Sequence, residues 1–289
     1  MPVGTDPGPG PATNASRLLL TRVSGQVTQA GANDVVGPDG IRLIRPGQGG
    51  IVLDVDLGSP AGGWESDHLE PGASLSNPDD AANRALQILA CIGNRATVAS
   101  GAAAGAVGTV VGKHGAVLVR FAQENLRLLA PGDWVTIDAK GVGTVVDDTP
   151  DVAVRSCSPA LLTALLRPNN GRFRVEVAAL LPAEAAAAGI GMPSDHLNLD
   201  LEVGSPPLAS MAGGLRFGDV VALADHDHTH GRLLRPDWLT IGIIAHGRSV
   251  GGGHGFGFVT VVTGPAERFD VVFATEANLR ALLGFGVPK

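Results

Sequence analysis

Short stretches in which apolar and polar positions alternate, each closed by glycine or proline, make up most of the chain. A period of two places one face of a strand on the core and the other toward solvent. Three such stretches between Arg22 and Leu57 predict a meander of three strands. Further stretches predict strands within 96–121, 134–146 and 172–182 and from Asp219 onward. The pattern is typical of a protein built mainly from short strands.

Short helices are predicted where a capping residue precedes an apolar run. Residues 77–80 (Asn-Pro-Asp-Asp) supply a cap, a proline at the first helical position and two acids, and they predict a helix that ends at Gly93. Ser158 and Thr275 predict the starts of two more helices. Two further short helices are predicted over 122–129 and 183–189.

The composition supports a folded chain that is divided by many turns. Of 289 residues, 41 are glycine and 20 are proline, about a fifth of the chain, which argues against a helical bundle. Hydrophobic residues make up 44% and charged residues 17%, so the chain can bury a sizeable core. We therefore expect an α+β, strand-dominated fold. Two β-barrel-like units with short helices would face each other across a cleft.

The strand pattern is interrupted at 147–150 by two acids, a threonine and a proline. We expect a disordered lead-in over 1–16, an N-terminal β-rich unit over 17–150 and a C-terminal β-rich unit over 151–289. A Gly-Asp pair followed by an alternating strand occurs at Gly132 and again at Gly218. This repetition is compatible with a weak internal duplication.

The net charge and the composition restrict the classes of molecule that the protein is expected to bind. A net charge of −7, 4% aromatic residues and no tyrosine argue against nucleic acid, which needs cations and stacking side chains. Cys91 and Cys157 form neither a disulfide framework nor a cysteine zinc site, so a reduced, cytoplasmic protein is the simplest interpretation. The sequence has no apolar run that could span a bilayer. The expected partners are a small-molecule substrate and further copies of the chain in a homo-oligomer, without membrane or nucleic acid.

Histidine is concentrated in one segment. Five of the eight histidines lie within 29 residues, and they are His226, His228, His230, His246 and His254. If the strand from Asp219 continues, the first three share one face, and Asp225 and Asp227 share the other. Imidazole nitrogens and carboxylate oxygens bind zinc, manganese and iron, and carboxylates also orient ligating histidines. The segment therefore predicts a metal or catalytic site, with an inert surface loop as the alternative.

Glycine flanks His246 and His254. His246 ends the predicted strand TIGIIAHG, and His254 stands in the run GGGHGFG. Because glycine has no side chain, backbone or ligand atoms can approach these histidines closely. A histidine at the end of a strand, at the entrance to a glycine-rich loop, is typical of a site residue.

Two motifs in the first half offer further polar groups. Residues 64–72 (WESDHLEPG) place three acids and a histidine in an irregular loop that contains Asp67 and His68. The sequence GKHG places Lys113 and His114 between glycines, where the lysine could bind an anionic group. A solvated acidic loop and an exposed hairpin turn are the respective alternatives. The chain contains no Walker A motif and no G-x-S-x-G nucleophile elbow.

Together, these motifs resemble those of the DUF4438 domain family. The resemblance covers roughly residues 20–265, with the motifs in the same order, and the name of the family assigns no function. It rests on WESDHLEPGAS, NPDDAANRALQILACIGN, GKHG, LRFGDVVALADHD, Gly231-Arg232, TIGIIAHG and GHGFG. The positions that match the family pattern are Asp67, His68, Asn94, Lys113, His114, Asp225, His226, Asp227, Arg232, His246 and His254. His228 and His230 depart from that pattern, which favours His226 with its two neighbouring aspartates. The glycine-flanked strands are also similar, in style only, to acetamidase/formamidase-type metal amidases.

Our first hypothesis is a metal-dependent hydrolase that acts on a small amide, a cyclic amide or a related carbonyl substrate. It assigns a divalent ion (zinc, manganese or iron) to His68, His226, Asp227, His246 and His254. Its catalytic residues are Asp67 as general base, Lys113 and Arg232 as stabilisers of negative charge, and His114 and Asp225. Two alternatives remain open. One is a metal-free lyase, isomerase or cyclase in which His–Asp pairs transfer protons, and the other is a non-catalytic small-molecule binding protein.

Overall fold

Strands dominate the computed structural model, which describes residues 9–37, 39–188, 195–196, 198–249 and 255–285. The first half contains β1 (Thr21–Val27), β2 (Ala32–Val36), β3 (Arg42–Pro46), β4 (Ile51–Val52), β5 (Gly72–Ser76), β6 (Arg95–Val98), β7 (Val107–Lys113), β8 (Val117–Phe121) and β9 (Trp134–Ala139). The second half contains β10 (Ala153–Val154), β11 (Arg167–Asn169), β12 (Arg172–Val177), β13 (Ala179–Leu181), β14 (Ala186–Ala188), β15 (Leu199–Leu201), β16 (Val220–Asp227), β17 (Leu233–His246), β18 (Gly257–Pro265) and β19 (Phe269–Phe273). The helices are α1 (Asp80–Leu89), α2 (Gln123–Leu126), α3 (Pro159–Leu165), α4 (Pro206–Ala212) and α5 (Leu279–Leu282).

Six strands of the first half close into an antiparallel barrel. Their order is β1-β9-β6-β7-β8-β5, and β5 returns to β1 through the pairing of Val27 with Leu75. Alternate residues of β9 are buried, as a period of two requires, and Ile137 is among them. Leu75, Val119 and Ile137 are completely buried in the barrel core. Closure leaves no unpaired strand edge around the ring.

The second half builds a seven-stranded sheet in the order β13-β16-β17-β18-β15-β14, with β10 paired to β18. A three-stranded sheet, β11-β12-β19, accompanies it, and β2 and β3 form a separate hairpin. The last eight residues of β17 are all buried, which means that both faces of the strand are covered. The expectation of a strand-dominated α+β fold is confirmed.

The two halves share one hydrophobic core. Ile92 and Val111 from the first half belong to the same buried cluster as Val220, Ile243 and Val259 from the second. At the margin of this core, Gly112 on β7 lies directly against Ala245 on β17. Because neither residue carries a large side chain, the two strands approach closely. This contact brings the ends of β7 and β17 together.

Three helix predictions need correction at their termini or in their type. Asp79, not Asn77, caps α1 by accepting from the backbone N–H of Ala82, and Asn278, not Thr275, caps α5. The helix predicted over 183–189 is wrong: residues 183–185 form a 3-10 turn and 186–188 form β14. The strand pairs with β15, and Ala186 is completely buried there, so tertiary packing overrides the high helix propensity of alanine. No helix among the described residues is long and apolar enough to cross a bilayer.

The N-terminal lead-in is ordered over part of its length. Thr13 forms a β-bridge with Val146, and the backbone N–H of Asp147 donates to Ala12. The side chain of Asn14 donates to the carbonyl of Gly143. The expectation of a disordered segment therefore does not hold for residues 12–14, and residues 1–8 lie outside the described residues.

The cap of α3 gives a direct stability prediction. Ser158 is buried, and its hydroxyl accepts from the backbone N–H of Leu161 at 3.2 Å. We expect Ser158→Ala to lower the free energy of unfolding by about 1 kcal/mol, because that N–H loses its acceptor. Chemical denaturation measures the change. Ser205→Ala, at the exposed cap of α4, is the matched control, and an equal loss in both variants would contradict the importance of burial.

Candidate functional site

Three histidines that are far apart in sequence meet where the two halves touch. His68 precedes β5, His114 follows β7, and His246 is the last residue of β17. The ring centres are 5.2 Å apart for His68 and His114, 5.3 Å for His68 and His246, and 3.9 Å for His114 and His246. We call these residues the three-histidine cluster. His68 and His114 retain some solvent exposure, whereas His246 is completely buried.

Each ring of the cluster has an oxygen acceptor at its Nδ1 atom. Nδ1 of His68 lies 3.0 Å from a carboxylate oxygen of Asp67, and Nδ1 of His114 lies 2.7 Å from one of Glu70. Nδ1 of His246 lies 2.7 Å from the carbonyl oxygen of Gly247. Because a carbonyl or an ionised carboxylate can only accept, the proton of each neutral ring is held at Nδ1. The lone pair is then on Nε2, the arrangement found in metal-ligating histidines.

The electrostatics favour ionised acids and a neutral His246. Burial raises the pKa of Glu70, but the hydrogen bond and charge of His114, the hydroxyl of Ser74 and the backbone N–H of Gly49 together lower it below its ordinary value. Burial likewise raises the pKa of Asp67, but hydrogen bonds with Ser249, Asn33 and His68 together lower it below its ordinary value. Burial, together with the nearby His114, lowers the pKa of His246. A neutral imidazole between fixed carboxylates can donate its lone pair.

The Nε2 side of His246 faces a short segment at the start of β15. The side-chain N–H groups of Asn198 donate to His246 Nε2 at 2.9 Å and to a carboxylate oxygen of Asp200 at 3.1 Å. That oxygen lies 3.2 Å from Nε2. The ring also lies flat on Gly257, where an added Cβ atom would be 1.9 Å from a ring carbon. Glycine at 257 is therefore a condition for the position of His246.

His226 and His228 form a second group, the buried histidine pair. Their ring centres are 5.8 Å apart, and both side chains are almost completely buried. Nδ1 of His226 lies 3.0 Å from the hydroxyl of Thr240, which itself donates to the carbonyl of His226. Thr240 and His246 are six residues apart on β17, which corresponds to roughly 20 Å along the strand. His226 and His246 therefore do not belong to one ligand set, and this part of the sequence hypothesis is corrected.

The tautomer of His226 follows from the threonine network. Because the Thr240 hydroxyl donates to a carbonyl, it must accept from Nδ1 of His226, which leaves the lone pair on Nε2. That Nε2 atom is buried without a hydrogen-bond partner among the described residues. Burial first, and then the charges of His228 and Arg232, lower the pKa of His226 to about 4. His226 is thus a neutral core histidine at pH 7.

The other residues predicted near His226 are distributed along the same hairpin. Asp227 accepts from Thr229 and from Arg235 at 2.9 Å, which occupies its carboxylate. Asp225 is exposed and has a φ of 52°, at a bulge between Ala224 and His226. This bulge, rather than a regular strand, lets His226 and Asp227 both be buried. His254 lies outside the described residues.

Lys113, the last residue of β7, is completely buried, whereas the adjacent His114 retains some exposure. Its ammonium donates to the hydroxyl of Ser156 at 3.0 Å and to the carbonyl of Asp195 at 2.8 Å. Burial lowers its pKa to about 8, although the neighbouring Cys91 and Asp195 oppose the change. Lys113 was predicted to stabilise negative charge beside His114. Its contacts instead connect the first half of the chain to the second.

The three-histidine cluster is close to, but not at, the geometry of a metal site. Two imidazoles on a tetrahedral zinc ion have ring centres roughly 5 Å apart, because each nitrogen lies ~2.1 Å from the ion. The two separations that involve His68 fit this value, whereas the 3.9 Å between His114 and His246 is too short. Accordingly, the described residues contain no group of three histidine, cysteine or acidic side chains already arranged around a common point. For all three histidines to bind one metal ion, the ring of His114 or His246 would have to rotate.

Three residues that surround the three-histidine cluster were not predicted from the sequence. Glu70 is the third acid of the loop already singled out and stands two residues after His68, so its spacing was a usable signal. Asn198 and Asp200 carry no such signal, because only the pairing of β15 with β18 brings them to His246. Asn94, which matches the family pattern, accepts from backbone N–H groups of Cys91 and Lys140, which is a structural role.

The comparisons with known proteins agree with the family suggested by the motifs. The profile "Domain of unknown function (DUF4438), N-terminal" matches residues 35–163, and the corresponding C-terminal profile matches residues 163–283. Among curated proteins no match was found. A solved structure described as "Crystal structure of TM1086" is 35% identical, with a TM-score of 0.88, and the similarity covers 94% of this chain and 99% of that one. The chain belongs to the DUF4438 family.

Proposed function

We propose that the protein is a metal-dependent hydrolase of a small amide, a cyclic amide or a related carbonyl compound, with His68, His114 and His246 as the ligands of a divalent ion. Zinc or iron would suit imidazole ligands, and manganese would suit the site if a carboxylate such as Asp200 also took part. One observation carries the proposal: three imidazoles from distant parts of the chain meet, each with an oxygen acceptor at Nδ1. The ligand set differs from the sequence hypothesis, because His114 takes the place of His226.

The surrounding residues have distinct tasks in this proposal. Asp67 and Glu70 hold the rings of His68 and His114 and keep their lone pairs on Nε2. Asp200 lies on the Nε2 side of His246 and is partly exposed, so it is the carboxylate that would accept a proton from an attacking water. A bound divalent ion supplies a polarised carbonyl and a water of lowered pKa. Asp67, which was predicted as the base, becomes a residue that positions His68.

Metal content tests the proposal directly. Protein purified without chelator should contain close to one equivalent of a divalent metal by elemental analysis, and His114→Ala should lose it. His230→Ala, outside the cluster, is the matched control and should keep the metal. Removal of the metal, followed by titration with Zn²⁺ or Mn²⁺ alone, gives the affinity without a known substrate. A protein that neither contains nor takes up a stoichiometric metal, or a His114→Ala variant that binds it as tightly as the wild type, would overturn the ligand assignment.

A metal-free acid–base enzyme is the second candidate, and the contact between Glu70 and His114 favours it. A buried carboxylate 2.7 Å from Nδ1 is the arrangement that prepares an imidazole for proton transfer. The titration with Zn²⁺ separates the two candidates. Turnover of a substrate by metal-depleted protein, abolished in His114→Ala, would support this second function.

A further inference from the structure

A cavity of ≈ 330 Å³ lies between α3, α5 and the three-stranded sheet, and none of its lining residues belongs to either histidine group. Leu165, Val220, Ala277 and Leu282 supply its apolar surface. The volume lies at the lower end of the range of small-ligand sites, which is ~300–1,000 Å³. The cavity is therefore large enough for a compact organic molecule and too small for a macromolecular segment of any length.

Two arginines meet at this cavity in an arrangement that is unfavourable without a ligand. Arg167 on β11 and Arg174 on β12 are directly opposite each other in the antiparallel ladder, and both line the cavity. Like charges on directly opposed residues destabilise a sheet. Arg174 has only a 3.5 Å contact with Glu176, and Arg167 forms no ion pair with any residue that the structure describes. The pair is thus available to bind an anion, and a guanidinium matches a carboxylate with two parallel hydrogen bonds.

Two carboxylates line the same cavity. Glu176 is on the same face of β12 as Arg174, and Glu276 precedes α5. A further acid, Asp270 on β19, accepts from Asn169 at 3.0 Å and is engaged there. A purely anionic ligand would meet repulsion from the two glutamates, whereas a ligand that also carries an ammonium group would pair with them.

We propose that this cavity binds a small zwitterion, an amino acid or similar amino-carboxylate with an aliphatic side chain. Arg167 and Arg174 receive the carboxylate, Glu176 and Glu276 receive the ammonium group, and the apolar surface covers the side chain. The site is independent of the three-histidine cluster, so it holds whether or not the proposed hydrolase function does.

Calorimetric titration with three related probes tests the proposal. L-leucine should bind at millimolar or lower concentration. 4-Methylpentanoate, which lacks the ammonium group, and 3-methylbutylamine, which lacks the carboxylate, should each bind at least about 10-fold more weakly. Equal binding of 4-methylpentanoate would overturn the assignment of a zwitterion, and the absence of leucine binding at millimolar concentration would overturn the site.

Variants connect the binding to this cavity. Arg167 and Arg174 are exposed, so Arg167→Ala and Arg174→Ala should fold normally, with a thermal unfolding temperature equal to or slightly above that of the wild type because the repulsion between the arginines is relieved. Each variant should weaken leucine binding about 10-fold or more. Arg95→Ala, an exposed arginine of the barrel, is the matched control and should bind as the wild type does. Unchanged binding in both cavity variants would place the leucine elsewhere and contradict the proposal.

Discussion

Replacement of Gly257 by alanine is expected to lower the free energy of unfolding by about 3 kcal/mol or more and to disrupt the three-histidine cluster. An added Cβ atom would lie 1.9 Å from one atom of the His246 ring and 2.1 Å from another. Two hydrogen bonds, from Nδ1 to the carbonyl of Gly247 and from the side chain of Asn198 to Nε2, hold the His246 ring in this position and would have to break for it to move. The ring must therefore leave its position, or β18 must separate from β17.

Chemical denaturation and metal content measure the two consequences of Gly257→Ala. Gly214→Ala is the matched control, because an added Cβ atom there meets nothing within 4 Å and the backbone of Gly214 is not in the left-handed region. The control should change stability by no more than about 0.5 kcal/mol. A Gly257→Ala protein with the stability and metal content of the wild type would show that the His246 ring does not lie against Gly257.

The stability of the wild type relative to Lys113→Met is expected to rise by roughly 3 kcal/mol between pH 8 and pH 10.5. Burial lowers the pKa of Lys113 from 10.5 to about 8. Between these two pH values the unfolded chain binds more protons than the folded protein, so the stability of the fold increases with pH. Below pH 8 the folded state carries the full cost of a buried ammonium group. Methionine has a similar length and no charge, so the variant lacks this dependence.

Urea denaturation of both proteins across this pH range gives the difference. Burial also raises the pKa values of Cys91 and Cys157, and both proteins retain these thiols; Lys113→Met additionally removes the charge that lowers the pKa of Cys91. Lys140→Met removes the same group from a partly exposed position and is the control. A difference between wild type and Lys113→Met that is independent of pH would mean that Lys113 is not buried as a charged group.

The pattern of the sequence was a good guide to local structure. Alternation in 134–146 and 172–182 correctly predicted β9 and β12, because a half-buried strand needs one apolar face. The prediction failed at 183–189, where alanines with high helix propensity form β14. Ala186 is completely buried where it pairs with Leu201, and that partner on β15 is not evident from the local sequence.

The candidate site was predicted only in part. The histidines of GKHG and TIGIIAHG were correctly singled out as residues at strand ends among glycines, and the structure brings them together with His68. The cluster of five histidines in the second half misled the prediction, because closeness in sequence was taken as closeness in space. His226 is turned into the sheet by a bulge at Asp225, and its partner is Thr240 of β17, which in turn contacts Thr263 of β18.

The sequence by itself determined the family, the predominance of short strands and the types of residue that form the candidate site. Only the tertiary structure decided which of these residues share a site. The selection depends on the contact between β7 and β17 at Gly112 and Ala245 and on the pairing of β17 with β18 at Gly257. The first of these contacts joins residues 133 positions apart. It is stabilised by burial of a common core rather than by any local preference.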